Sequence, residues 1–149
     1  YILSFVYVAI YWNNHHHLFH AVQKVNGKIL WANMHLLFWL SLIPFSTAWL
    51  GDSSFENFPM FLYGVILFFC AIAYYILLNQ IIKLEGKNSL IYNSVGNDFK
   101  GKISNFLYLT AILFALYIPI ISGIIYIAVA LIWLIPDKRI EKNFTNKNN

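Results

Sequence analysis

Hydrophobic and polar positions fall in long blocks along this chain rather than in the alternation of half-buried strands. An apolar run, Tyr1–Tyr11, is followed by a polar segment from Asn13 to Lys28 that contains the turn pair Asn26-Gly27. Ile29–Leu50 carries no charge and would span about 33 Å as a helix, enough to cross a bilayer. A short acidic turn with Asp52 and Glu56 separates it from a second uncharged run, Pro59–Ile82. Leu84–Lys102 is the longest polar connection; its scattered Leu90, Ile91, Tyr92, Val95 and Phe99 are read as loop. Two shorter apolar runs, Ile103–Pro119 and Ile120–Ile135, meet near Pro119, Ser122 and Gly123 and predict a tight helical hairpin. Pro136-Asp137-Lys138-Arg139 ends the last helix, and an Asn- and Lys-rich tail follows.

The blocks predict an all-α, polytopic membrane helix bundle. Its spans cover residues 1–12, 29–50, 59–82, 103–118 and 120–135, a transmembrane domain over 1–136 with a tail at 137–149. Trp31 and Trp49 are about 27 Å apart on one predicted helix, the separation of two interfacial aromatic belts. Pro44 removes the backbone bond to the carbonyl of Leu40 and predicts a kink. Ser41, Ser46 and Thr47 lie close enough to satisfy freed backbone groups. Tyr1–Tyr11 covers only about 16 Å, too short to span, and lacks a basic flank and a cleavage site. Tyr1 is therefore expected to lie inside a spanning helix, with sequence before it.

Composition agrees with the pattern. Of 149 residues, 60% are hydrophobic and only 11% charged, whereas soluble domains carry about 25% charged residues. A net charge of +4 would suggest nucleic acid in a soluble chain, but its distribution points elsewhere. All ten basic residues fall on one side of an alternately crossed membrane: Lys24 and Lys28, then Lys83, Lys87, Lys100 and Lys102, then Lys138, Arg139, Lys142 and Lys147. The opposite side has Asp52 and Glu56. The basic side, and with it the C-terminus, is expected to be cytoplasmic. One further N-terminal helix would complete six spans with both termini inside. Cys70 stands alone in an apolar run, so no disulfide framework exists, and it is read as a packed or lipid-facing residue.

Candidate chemistry concentrates in Tyr11-Trp12-Asn13-Asn14-His15-His16-His17-Leu18-Phe19-His20, which holds four of the five histidines. On a continuing helix Trp12, His16 and His20 share a face. A zinc site needs three or four ligands, and no cysteine or carboxylate lies nearby in sequence. Metal catalysis by a histidine-dependent membrane enzyme is therefore the alternative rather than the main expectation. Histidines at a membrane boundary can instead bond backbone or headgroups, or pair with a polar residue on a neighbouring helix, where a titrating imidazole could sense acid. Asn33 and His35 begin the second span, at a depth where polar residues either face the bundle interior or sit among headgroups. No span contains an ionised residue, which argues against an ion-coupled carrier using carboxylates in these helices. There is no carbonyl selectivity-filter motif, no arginine-rich voltage sensor and no phosphate loop. Phe38, Trp39, Phe68, Phe69, Tyr74 and Tyr75 are read as packing and lipid-facing surface.

Trp12-x-x-His15-x-x-Leu18-Phe19, Leu30-x-x-Asn33, Pro44-Phe45-x-Thr47 and the ending Trp133-Leu134-Ile135-Pro136-Asp137-Lys138-Arg139 resemble the transmembrane protein 175 family of endolysosomal and bacterial potassium channels. A single repeat resembles the bacterial members. The resemblance implies a potassium-selective cation channel subunit in the cell membrane, partnered by potassium ions and the lipid bilayer, in a homotetramer with no cofactor and no catalytic residue. It implies a pore lined by a helix upstream of this chain, for which the chain is the scaffold. Trp12, His15 and Asn33 match positions that brace that pore helix; Leu18, Phe19 and Pro44 match packing positions. His16, His17 and His20 fall outside the pattern. A non-conducting assembly subunit is the third reading.

Overall fold

The computed structural model describes residues 2–20, 22, 24–87, 89–95 and 98–134. Tyr1, the boundary motif beyond Leu134 and the tail at 137–149 lie outside the described residues, with the lysines and arginine they carry. Among the described residues there are six helices and no strand: α1 (Ile2–His20), α2 (Gly27–Asp52), α3 (Asn57–Glu85), α4 (Leu90–Val95), α5 (Phe99–Ala115) and α6 (Pro119–Leu134).

Local chemistry sets the ends. Asn26 caps α2 from an extended backbone, its side-chain oxygen accepting the Ile29 N–H at 3.0 Å. At the other end the Ser53 N–H reaches the Trp49 carbonyl at 3.0 Å, and Ser54 and Phe55 reverse the chain with positive φ. Pro59 sits in the first turn of α3, where a missing N–H costs nothing. Gly86 ends α3 at φ 87, with its N–H on the Ile82 carbonyl at 2.9 Å. Asp98 caps α5 through the Gly101 N–H at 3.1 Å, and Pro119 opens α6.

Three boundaries differ from the sequence expectation. The first helix does not stop at Trp12: α1 continues through the histidines to His20, because polar residues with adequate helix propensity can prolong a helix already nucleated by its apolar part. Part of the 84–102 connection is helical, and Ile91 on α4 is 3% exposed and packed into the core. The fifth helix starts at Phe99, four residues before Ile103, where the Asp98 cap places it.

Helix α3 is the hub. It packs most extensively on α2 and α5 and also touches α4 and α6, and its Tyr63 and Tyr74 rings meet Tyr7 and Tyr11 of α1. Its buried residues, among them Met60, Tyr63, Leu67, Cys70, Leu77 and Ile81, recur every three or four positions. Two packed layers result. One holds Tyr7, Leu50, Met60, Tyr63, Tyr108 and Tyr126. The other is aliphatic, built from Leu18, Ile29, Leu36, Leu77, Ile81 and Ile91.

The two ends of the bundle are chemically distinct. Lys24 and Glu85 meet at one end, the Lys24 backbone N–H donating to the carboxylate at 3.3 Å. Asn57 donates to the Leu116 carbonyl at the other, at 2.8 Å. Lys24, Lys28, Lys83, Lys87, Lys100 and Lys102, at helix ends and in the connections between them, therefore gather at one end, and Asp52 and Glu56 at the opposite one. By length and apolarity α2 and α3 can each cross a bilayer; α6 is apolar throughout but has 16 residues. Pro44 lies inside α2, which is helical on both sides of it. The neighbouring hydroxyls bond other carbonyls than the one Pro44 frees: Ser41 that of Phe38, Ser46 those of Leu42 and Ile43, and Thr47 that of Ile43.

Candidate functional site: a polar pair between two helices

The continuation of α1 past Trp12 creates the site. His15 lies on the face that turns toward α2, and its Nε2 is 2.7 Å from Asn33 Oδ1. With the amide oxygen accepting, Nε2 carries the hydrogen and Nδ1 is an acceptor. Both side chains are half-buried. Leu18 is 1% exposed in the aliphatic layer below the pair, and the Phe19 ring lies 4.6 Å from the imidazole. Phe19 packs against the same layer. Among the described residues, His15 Nδ1 and Asn33 Nδ2 make no further hydrogen bond. The pair thus keeps one acceptor and one amide donor for a further polar partner.

The other candidates separate from it. Trp12 is 63% exposed and stacks on His16, ring centroids 5.3 Å apart at 13°. His16 is also 6.2 Å from His20 by ring centroid, so these rings form an outward stripe on α1 that does not meet Asn33. His35 is exposed rather than inward, and its Nε2 accepts the Trp39 indole N–H at 3.0 Å. Pro44 is on the exposed side of α2. Among the described residues no three His, Cys, Asp or Glu side chains converge as metal ligands.

A second polar feature was not expected from the sequence. Four tyrosines, Tyr7, Tyr63, Tyr108 and Tyr126, fill the interior of the other layer. The Tyr7 hydroxyl donates to the Tyr126 carbonyl and the Tyr126 hydroxyl to the Met60 carbonyl. Ser122 donates to the Ala111 carbonyl across the α5–α6 hairpin at 2.7 Å. Trp133 donates to Ser104 at 2.8 Å. These bonds run to backbone or to one hydroxyl and tie α1, α3, α5 and α6 together. The available signal was that Tyr7, Tyr108 and Tyr126 lie in the middle of uncharged runs; Tyr63, one turn into its run, gave none. Tyr74 and Trp39 take the packing side of their reading: Tyr74 meets Tyr11 and Trp133 edge-on, and Trp39 stacks on Phe69 at 4.5 Å. Cys70 is fully buried.

Comparison with known proteins bears on this geometry. The family described as endosomal/lysosomal potassium channel TMEM175 matches residues 1–44, the stretch that holds Trp12, His15, Leu18, Phe19, Asn33 and Pro44. A potassium channel of Chryseobacterium sp. (strain P1-3) is 56% identical over 143 residues, which are 96% of this chain and 74% of that protein. A potassium channel of Streptomyces collinus (strain DSM 40733 / Tue 365) is 33% identical over 52 residues, 35% of this chain and 25% of that protein. No solved structure matches the chain. With most of both sequences aligned at 56% identity, this membrane protein belongs to the TMEM175 potassium-channel family.

Proposed function

We propose that the chain is a subunit of a potassium channel that conducts passively, and that it acts as the scaffold around a pore helix preceding α1. The observation that carries this reading is the 56% identity, across nearly the whole chain, to a protein named as a potassium channel.

In this reading the His15–Asn33 pair braces the pore helix. Two helices fixed to each other by a 2.7 Å bond present a free imidazole nitrogen and a free amide donor at membrane depth. Polar side chains at such depth gain most from partners on neighbouring helices. Leu18 and Phe19 hold α1 in register beneath the pair. Trp12, one turn earlier and exposed, would contact the pore helix or a neighbouring subunit from the outer face of α1. A homotetramer around a central axis is the assembly we propose, with the protein in the cell membrane and the lysine-rich end, and the C-terminus, in the cytoplasm.

Potassium flux into liposomes bearing the full-length protein tests the reading. Flux above that of empty vesicles, blocked when an impermeant cation replaces potassium, is expected. Flux equal to empty vesicles sinks it. Cysteine labelling at Lys87 and Glu56 positions in intact cells tests the orientation: Glu56→Cys should react with a membrane-impermeant reagent and Lys87→Cys should not.

A further inference from the structure

Helix α2 shows one flank to α1, where Asn33 meets His15, and another to α3. On the α3 flank, at the basic end, lies an open groove of about 760 Å³. Asn26, Lys28 and Trp31 line it from the α2 side, and Ile76 and Gln80 from α3. Lys28 is exposed, Trp31 is 78% exposed and Ile76 is 37% exposed. The Asn26 side-chain oxygen is occupied by the Ile29 N–H, so what it offers a ligand is its amide donor. No carboxylate lines the groove among the described residues.

The order of these groups along the helix is chemical information. Asn26 and Lys28 lie at the start of α2 and Trp31 one turn in, while Gln80 and Ile76 of α3 lie about one and a half and two and a half turns from that helix's end. Deeper along the same α2–α3 seam the Trp39 and Phe69 rings stack. A ligand with a negative headgroup, a hydrogen-bonding polar group and a long apolar tail would match this sequence from top to bottom. The surrounding charge is complementary as well: Lys24, Lys83 and Lys87 lie at the same end of the bundle and outnumber the one carboxylate beside them, Glu85, which accepts the Lys24 N–H.

We infer that this groove holds an anionic phospholipid, its phosphodiester on Lys28, its headgroup against the Asn26 and Gln80 amides, and an acyl chain along Trp31 and Ile76. The site is separate from the His15–Asn33 pair and stands whether or not that pair braces a pore helix.

The test uses the full-length protein in mixed bilayers of phosphatidylcholine and phosphatidylglycerol, with bromine on the acyl chains of one lipid at a time. The readout is the share of tryptophan quenching that Trp31→Phe removes. Brominated phosphatidylglycerol should reach half-maximal quenching of Trp31 at a mole fraction about fivefold lower than brominated phosphatidylcholine, the weight of one lysine near a lipid surface. Lys28→Gln should abolish that preference, Lys28→Arg should keep it, and Lys87→Gln should leave it unchanged. Equal quenching by the two lipids overturns the inference, as does a preference that survives Lys28→Gln. Competition by inorganic phosphate at matched ionic strength would assign the groove to a free anion and overturn it too. Absence of quenching by either lipid, with Trp31 covered by a second copy of the chain, would do the same. The substituted side chains are exposed, and gel filtration confirms that each variant retains the wild-type assembly before it is scored.

Discussion

The two packed layers of this bundle solve the same problem in opposite ways. At the acidic end Tyr7, Tyr126 and Ser122 put their hydroxyls on carbonyls of other helices, and five helices share the interior. At the basic end the layer is aliphatic, and α1 meets α2 through His15 and Asn33, one side chain bonding another. A hydroxyl on a backbone carbonyl is fixed once the helix is fixed. A side-chain pair with unused donors and acceptors can reach for something else. One layer is tied across helices through backbone carbonyls, with the buried Tyr63 hydroxyl left over; the other holds its two helices by a side-chain pair beside a thin helix contact.

Substitutions should separate the two. The largest effect is expected at Gly64, where any Cβ would collide with the Tyr126 hydroxyl and press on Tyr126 and Ile112. Gly64→Leu should lower unfolding stability in detergent by about 3 kcal/mol, as overpacking does, and split the acidic-end layer. Tyr126→Phe should cost about 1 kcal/mol by removing the bond to the Met60 carbonyl while keeping the ring. Asn33→Ala should cost only about 0.6 kcal/mol in stability, the usual worth of one hydrogen bond between membrane helices. Its effect on conduction should be far larger than its effect on folding. His16→Ala, on the outward stripe, should stay within about 0.5 kcal/mol of wild type. A reversed order, with Asn33→Ala more destabilising than Gly64→Leu in the same unfolding assay, would break the contrast between the layers.

Much of this was legible in the sequence, and the physical reasons differ by feature. The helical class and the uncharged runs behind α2 and α3 follow from blocks that a bilayer requires and a small soluble core could not bury. The His15–Asn33 contact could be anticipated as a shared role but not as a bond, because nothing local says which face of α1 meets α2. Trp12, at i−3 from His15, lies about 60° from it around α1 and about 40° from His16 on the other side; sequence spacing cannot choose between them, and the ring stacks outward on His16. The extension of α1 was hidden because polarity was taken as loop, although asparagine and histidine tolerate helices well enough once an apolar stretch has nucleated one. The tyrosine layer was hidden for a different reason. A tyrosine in an apolar run looks the same whether its hydroxyl reaches an interface or another helix's carbonyl, and only the α1–α6 and α3–α6 packing decides between them. The α4 turn and the early start of α5 depend on Asp98 and on Ile91 finding the core, both set by tertiary contacts.

If the His15–Asn33 pair braces a pore helix as proposed, its loss should cost more in conduction than in folding. Potassium flux in liposomes should be measured for the full-length wild type, His15→Ala, Asn33→Ala and the double variant, at equal amounts of intact assembly. The expected result is flux well above empty vesicles for the wild type, at least tenfold altered flux in each single variant, and no further change in the double. Wild-type flux in both single variants would contradict the brace, and no flux from the wild type would contradict the channel itself.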